Sequence, residues 1–247
     1  MRRLRYDSSW SLAQLKHSLR IGLSFTDTNK DRTDWILRST EVERWLAADQ
    51  SCALVVNARE PLHETNSPAS FFSALLISTL KDAAAPTALL YWFCSQNMER
   101  NVQSMLKTSI GQLLEAGLTT DFPSLPDEES ELYFEDLVHF FCRCIRAQML
   151  HTPVYCIMDS LSCYEDQRRI DDLRYFCDEL SKLVQSESQS PNPFKVLATS
   201  PIQTTCFRAR SGRPHEVLNV PEVTGGSGNH YSQLTSARTY EDYPASR

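Results

Sequence analysis

Glycine is scarce in this chain: it has seven among 247 residues, and none between Gly22 and Gly111. Lysine is missing from much of the same stretch, with none between Lys30 and Lys81. The double gap excludes, from that part of the chain, a glycine-rich loop that turns its N–H groups toward phosphate and closes on a lysine. A surplus of positive charge is lacking too. The net charge is −6 and the isoelectric point about 5.5, so neither nucleic acid nor an anionic membrane surface is expected as a partner. No apolar run approaches the ~20 residues of a membrane span. The basic opening MRRLRYDSSW is not followed by an apolar run, so a secretory signal is not expected. There is no pair of C-x2-C motifs and no G-x-S-x-G, which removes structural zinc and a serine-hydrolase elbow. Internal repeats are absent.

What is present is apolar patterning. Hydrophobic residues make up 41% of the chain, enough for a core. Eight scattered cysteines fall mostly inside apolar segments and read as reduced, buried thiols of a cytoplasmic protein. Cys52–Asn57 is a continuous run, β-branched at Val55 and Val56, that suits a strand buried on both faces. A polar loop, 58–66, follows. Ser67 and Pro68 then read as an N-cap and a first-turn proline. The helix they open runs to about Leu80 and is apolar nearly all round, so deep packing is predicted. Further strands are predicted at Ala88–Cys94, at Val154–Met158 ending on Asp159, at Phe194–Ala198 ending on Thr199 and Ser200, and more weakly at Glu216–Val220. Amphipathic helices are predicted at Met98–Ala116, Glu131–Leu150 and Gln167–Val184. An acidic, proline-bearing loop spans 118–130.

Upstream, residues 1–30 form a polar lead-in in which Leu12, Leu15 and Leu19 make one or two short helical turns. Asp31–Ala48 reads as two short helices, with Thr40 and Glu43 at capping-box spacing. Residues 222–247 show no core pattern and are expected to be disordered. The organisation predicted is therefore a lead-in at 1–30, an α/β domain at 31–221 and a tail at 222–247. The fold class predicted is a three-layer parallel β-sheet of about five strands flanked by helices. Ligands on such sheets sit at the strand carboxyl ends, here Asn57–Asn66, Ser95–Asn97, Asp159–Cys163 and Thr199–Gln203.

In that order the strand–loop–helix of 52–80, PVYCIMDS at 153–160 and FKVLATSP at 194–201 resemble the P-loop NTPases of the signal-transducing, NACHT-like group. The lead-in TDWILRSTEVERWLAA is similar to the tryptophan-bearing helices that precede the P-loop in many fungal members, and the wording is closest to a fungal subgroup with eroded loops. The resemblance covers residues 31–220. It implies that Ser67 falls on the last loop glycine, Pro68 on the lysine and Ser70 on the metal-binding hydroxyl. Asp159 matches the Walker B aspartate, and Thr199 the threonine that closes the following strand. Ser67, Ser70, Asp159 and Thr199 are thus vestigial nucleotide and Mg²⁺ positions. Pro68 removes a backbone donor where donors are wanted. Ser160 stands where the water-polarising acid belongs, and Pro201 where the group carries arginine. Arg59 or His63 would have to replace the lost positive charge. Glu165 and Asp166 are the nearest acids to Ser160 and read as first-turn acids of the next helix.

The remaining chemistry is bland. Cys142 and Cys144 lie about 200° apart on a helix, which disfavours a shared metal. His139 is one turn from Glu135 and Arg143, a charge ladder. Ser162 and Cys163 follow a strand end, but His151 is at the opposite end of that strand. The acidic run Asp127–Glu131 reads as solvated loop. The function expected is a non-catalytic domain acting through protein partners, without cofactor and of unspecified oligomeric state. The alternatives are a switch binding Mg-ATP or Mg-GTP through an atypical loop, and a fragment of a larger signalling protein.

Overall fold

A computed structural model describes residues 7–61, 67–97, 101–117, 133–207 and 215–224. Its five strands are β1 (Cys52–Asn57), β2 (Ala88–Phe93), β3 (Val154–Asp159), β4 (Phe194–Ser200) and β5 (His215–Asn219). They form one sheet in the order β2-β3-β4-β1-β5, and every pairing is parallel. Among the described residues seven α-helices flank it: α1 (Ser8–Leu23), α2 (Asp27–Leu37), α3 (Thr40–Ala47), α4 (Pro68–Lys81), α5 (Val102–Ala116), α6 (Phe134–Met149) and α7 (Ile170–Ser186). The predicted three-layer α/β architecture is the one observed.

Alternation within each strand divides the core in two. Ala53 and Val55 of β1, Leu90 and Trp92 of β2, and Val196 and Ala198 of β4 pack with α5, α6 and α7. Leu54 and Val56, Tyr91 and Phe93, and Leu197 point the other way and pack with α1 to α4. β1 is the central example: Leu54, Val55 and Val56 are all buried, with the two faces feeding different layers. Covering the sheet on both sides is what lets its strands be apolar throughout.

Two local differences from the sequence reading have physical causes. The lead-in is not one or two loose turns. α1 is a sixteen-residue helix that buries Leu15 and Leu19, and Trp10 packs at a tilt against Trp92 with ring centroids 5.4 Å apart. Its weak pattern reflects buried polar positions, Ser11, Gln14 and Ser18. The break between the next two helices falls one residue earlier than the capping-box spacing implied. Ser39, not Thr40, caps α3, accepting the Val42 N–H at 3.3 Å. Cys142 and Cys144 are both buried, in keeping with the reading of the cysteines as core thiols. None of the eight cysteines forms a disulfide, and seven are buried. The loop at 118–130, His63 and most of the predicted tail lie outside the described residues.

The edge of β2 is closed by a side chain. Gln112 of α5 accepts the Tyr91 N–H at 3.0 Å and donates to the Tyr91 carbonyl at 3.2 Å, imitating a neighbouring strand.

The connection from β1 travels over β4 and β3 to the far edge, while the connection from β4 returns to β5 on the other side of β1. The crevice at the carboxyl ends of β1 and β4 is therefore the topological switch point of the sheet.

Candidate functional site

The chain enters this crevice at Asn57. Instead of swinging outward after β1, it runs on along the end of β4. Ala58 N–H donates to the Ser200 carbonyl at 2.8 Å and Glu60 N–H to the Pro201 carbonyl at 2.7 Å. Arg59, between them, has φ +53°, the left-handed region that non-glycine residues rarely adopt. That turn sends consecutive side chains to opposite sides. Arg59 is exposed and pairs loosely with Glu222 at 3.9 Å, whereas Glu60 is buried.

On the far side of residues 62–66, which are outside the described set, Ser67 opens α4 as predicted. Its hydroxyl accepts the Ser70 N–H at 2.9 Å, and Pro68 takes the first turn. Ser70 and Ser73 follow at one-turn spacing on the same face, aimed at the end of β3.

There they meet Asp159. Its Oδ2 accepts Ser70 Oγ–H at 2.7 Å and Ser160 Oγ–H at 3.0 Å. Its Oδ1 accepts Thr199 Oγ1–H at 2.6 Å and Ser73 Oγ–H at 3.4 Å. Ser67 Oγ–H donates in turn to Ser70 Oγ at 2.9 Å. Ser160, at φ +58°, directs its N–H to Thr199 Oγ1 at 3.0 Å. The structure thus brings all four sequence-derived positions, Ser67, Ser70, Asp159 and Thr199, into one hydrogen-bonded cluster. None is more than 2% exposed.

The electrostatics of the cluster are carboxylate-rich. Burial pushes the Asp159 carboxyl above the usual range, and the hydroxyls of Thr199, Ser70, Ser160 and Ser73 pull against it. Glu60, which the loop reading left unremarked, is the second carboxylate. Its Oε1 accepts the Ala69 N–H in the first turn of α4 at 3.2 Å. Its Oε2 is buried and has no hydrogen-bond partner among the described residues. Burial raises its pKa from 4.5 to about 7, assisted by Asp159 and opposed by Ser67, the Ala69 N–H and Arg32. Arg32 is a buried cation, but its guanidinium is committed to main-chain carbonyls. It donates to Ala58, and to Pro221 and Glu222 at 3.0 Å each. It ties α2 to both the exit of β1 and the exit of β5.

Among the described residues, this donor set offers little to a Mg-nucleotide. The first-turn N–H of α4, which would face phosphate, is taken by a carboxylate of the chain itself. Pro68 supplies no N–H. The cation of the loop that the structure describes, Arg59, points to solvent. A triphosphate would face Glu60 and Asp159 with no lysine between them.

The other candidates resolve as structural. Glu165 does not face Asp159 as a base; its carboxylate accepts the Thr205 N–H at 2.9 Å, Thr205 Oγ1–H at 2.9 Å and the Thr204 hydroxyl, clamping the segment after β4. Asp166 accepts the N–H groups of Arg168 and Arg169 at 3.0 Å each, in the turn before α7. His139 meets the Tyr175 hydroxyl at 3.2 Å. Among the described residues, no group of three or more His, Cys, Asp or Glu could hold a metal ion. None of the described helices is long and apolar enough to cross a membrane.

Residues 31–200 match the family model described as Nephrocystin 3, N-terminal. A search of curated proteins found no match. The matched stretch is more than half of the chain and contains Ser67, Ser70, Asp159 and Thr199 together with Glu60 and Arg32. The chain belongs to the nephrocystin-3 N-terminal family.

Proposed function

We propose that this chain is a NACHT-like, signal-transducing type of domain that has given up nucleotide chemistry and acts through protein contacts. One observation carries the reading: both oxygens of Asp159 are occupied by hydroxyls of the chain, and the helix N-terminus beside them by Glu60. Phosphoryl transfer works by positioning and charge neutralisation. A lysine, a second acid and an arginine are the parts that do this, and Pro68, Ser160 and Pro201 stand in their places. What remains is a polar clasp joining α4, β3 and β4, suited to holding the sheet's carboxyl edge in one shape. The family's fold then serves as a rigid support for a partner protein, in a cytoplasmic setting.

A second reading, a nucleotide-binding switch, draws on the convergence of the four positions themselves. Equilibrium dialysis of the purified chain against labelled ATP and GTP with Mg²⁺ separates the two. No retention of either nucleotide at millimolar concentration is expected. Saturable retention that is lost in Asp159→Ala would favour the switch.

A further inference from the structure

α1 packs with a largely polar face inward. Ser11, Gln14, Ser18 and Gly22 are buried together with Leu15 and Leu19, while Leu12 and Leu23 stay 38% and 48% exposed. Three contacts fix that orientation. Trp10 packs against Trp92, Ser18 Oγ accepts the Gln96 side-chain N–H at 2.7 Å, and a Cβ at Gly22 would sit 2.0 Å from the Phe71 ring of α4. Rotating the helix to hide its leucines would break all three. Leu12, Leu15, Leu19 and Leu23 form one stripe at helical spacing, about 16 Å long. They line a groove of about 460 Å³ whose other wall is the end of α4, at Ser78 and Lys81. The rim is cationic. Lys16 and Arg20 stand one turn apart on α1, and Lys81 closes the α4 side, donating to the Tyr91 hydroxyl at 3.2 Å. Asp82 and Glu115 offset part of the Lys81 charge, so Lys16 and Arg20 dominate. Neither α1 nor α4 contains an aspartate or glutamate, and among the described residues no acid lines the groove. In a chain of net charge −6 this is a local reversal of sign.

We propose that the groove between α1 and α4 docks an acidic amphipathic helix of a partner protein. The inference rests on the reading of this chain as a protein-contact domain and gives that reading a surface. A third helix laid along the stripe matches its length with about three turns. Apolar anchors at i, i+3 or i+4 and i+7 meet the leucines, and carboxylates one turn apart on its flank meet Lys16 and Arg20. Charge decides between occupants. A second copy of the chain docked through the same face would set Lys16 and Arg20 against their own kind. An anionic bilayer would have to accept a chain whose net charge is −6.

A display library of helical peptides about 18 residues long, randomised along one face, tests this by selection against the full chain. Enriched peptides are expected to be acidic and to repeat apolar residues at helical spacing. In fluorescence anisotropy they should lose at least about tenfold in affinity for Lys16→Glu with Arg20→Glu, and for Leu12→Ser with Leu23→Ser. All four positions are exposed, and an unchanged thermal midpoint checks that each variant folds. Hydrogen exchange of the wild type needs no variant: an enriched peptide should slow exchange in 12–23 and 75–81. No binders, basic or neutral binders, binders indifferent to both double variants, or protection confined to other segments overturns the proposal. Vesicles of phosphatidylcholine with about 25% phosphatidylserine are expected to leave the chain in solution. Vesicle binding lost in the same variants would reassign the face to a membrane, and dimerisation lost in them would reassign it to a second copy; either overturns the helix. Equilibrium dialysis against Mg-ATP keeps the two ideas apart. Nucleotide retained while the peptide still binds defeats the nucleotide-free reading and leaves the groove standing. Neither nucleotide nor peptide bound defeats the groove alone.

Discussion

Asp159 is the residue on which the proposed loss of nucleotide chemistry turns. In a nucleotide site its carboxylate would face metal-bound water; here it collects hydroxyls from Ser70, Ser73, Ser160 and Thr199. Hydrogen bonds to a charged acceptor are worth about 1.5–3 kcal/mol, and orphaned buried hydroxyls add to the loss. Asp159→Ala is therefore expected to destabilise the nucleotide-free protein by about 3 kcal/mol or more, read from urea unfolding. A loss below about 1 kcal/mol would make the cluster incidental. Glu60 acts in the opposite sense. Its pKa is raised in the fold from 4.5 to about 7, so the folded state holds the proton more tightly than the unfolded one. Its contribution is complete below about 4.5, fades as the pH rises through that window and is gone above about 7. The change amounts to about 3 kcal/mol at most. The urea midpoint should accordingly fall between mildly acid and neutral pH in the wild type and fall less in Glu60→Gln. The residue-level site was half legible in the sequence. Ser67, Ser70, Asp159 and Thr199 were singled out through the resemblance of their segments to those of NACHT-like P-loop NTPases. Ser73 was also within reach, because 67, 70 and 73 repeat at one-turn spacing and mark a hydroxyl stripe. Glu60 and Arg32 were not, since their burial depends on a left-handed turn at Arg59 and on the path of the chain past β5.

At the scale of elements, two close approaches do much of the positioning. α1 lies against α4 at Gly22, where a Cβ would sit 2.0 Å from the Phe71 ring. Phe71 belongs to the first turn of α4, so α1 packs directly behind the Ser67–Ser70 cluster. Gly22→Ala should cost about 1–3 kcal/mol through overpacking. The thermal midpoint measures it, and an unchanged midpoint would mean that α1 moves freely on α4. The second approach is Gln112 on the β2 edge. Gln112→Ala leaves the Tyr91 N–H and carbonyl unpaired at an open strand edge. A loss of about 1–2 kcal/mol is expected, together with light scattering that grows with protein concentration. Stability and scattering equal to wild type would remove the edge-guard role. The strands and long helices were legible because their apolar runs have the right period and length. α1 was under-read because three of its buried positions are polar, and the cap of α3 was displaced because Ser39 competes with Thr40 for the same task.

The whole molecule is a parallel sheet whose switch point is filled by its own side chains. The order β2-β3-β4-β1-β5 makes a crevice where ligands of such folds sit, and the sequence supplies the occupants: a carboxyl from the β1 exit, hydroxyls from α4 and β4, and a guanidinium from α2. The chain belongs to the nephrocystin-3 N-terminal family, and the chemistry of its crevice is proposed to depart from that of a working nucleotide site. The most direct measurement is the thermal midpoint of the wild type and of Asp159→Ala, each with and without millimolar Mg-ATP or Mg-GTP. A ligand present at a hundred times its Kd stabilises by about 2.7 kcal/mol. For a chain of this size that corresponds to roughly 5–10 °C. A self-filled site predicts no shift with either nucleotide. A shift of that order in the wild type, abolished by Asp159→Ala, would contradict it.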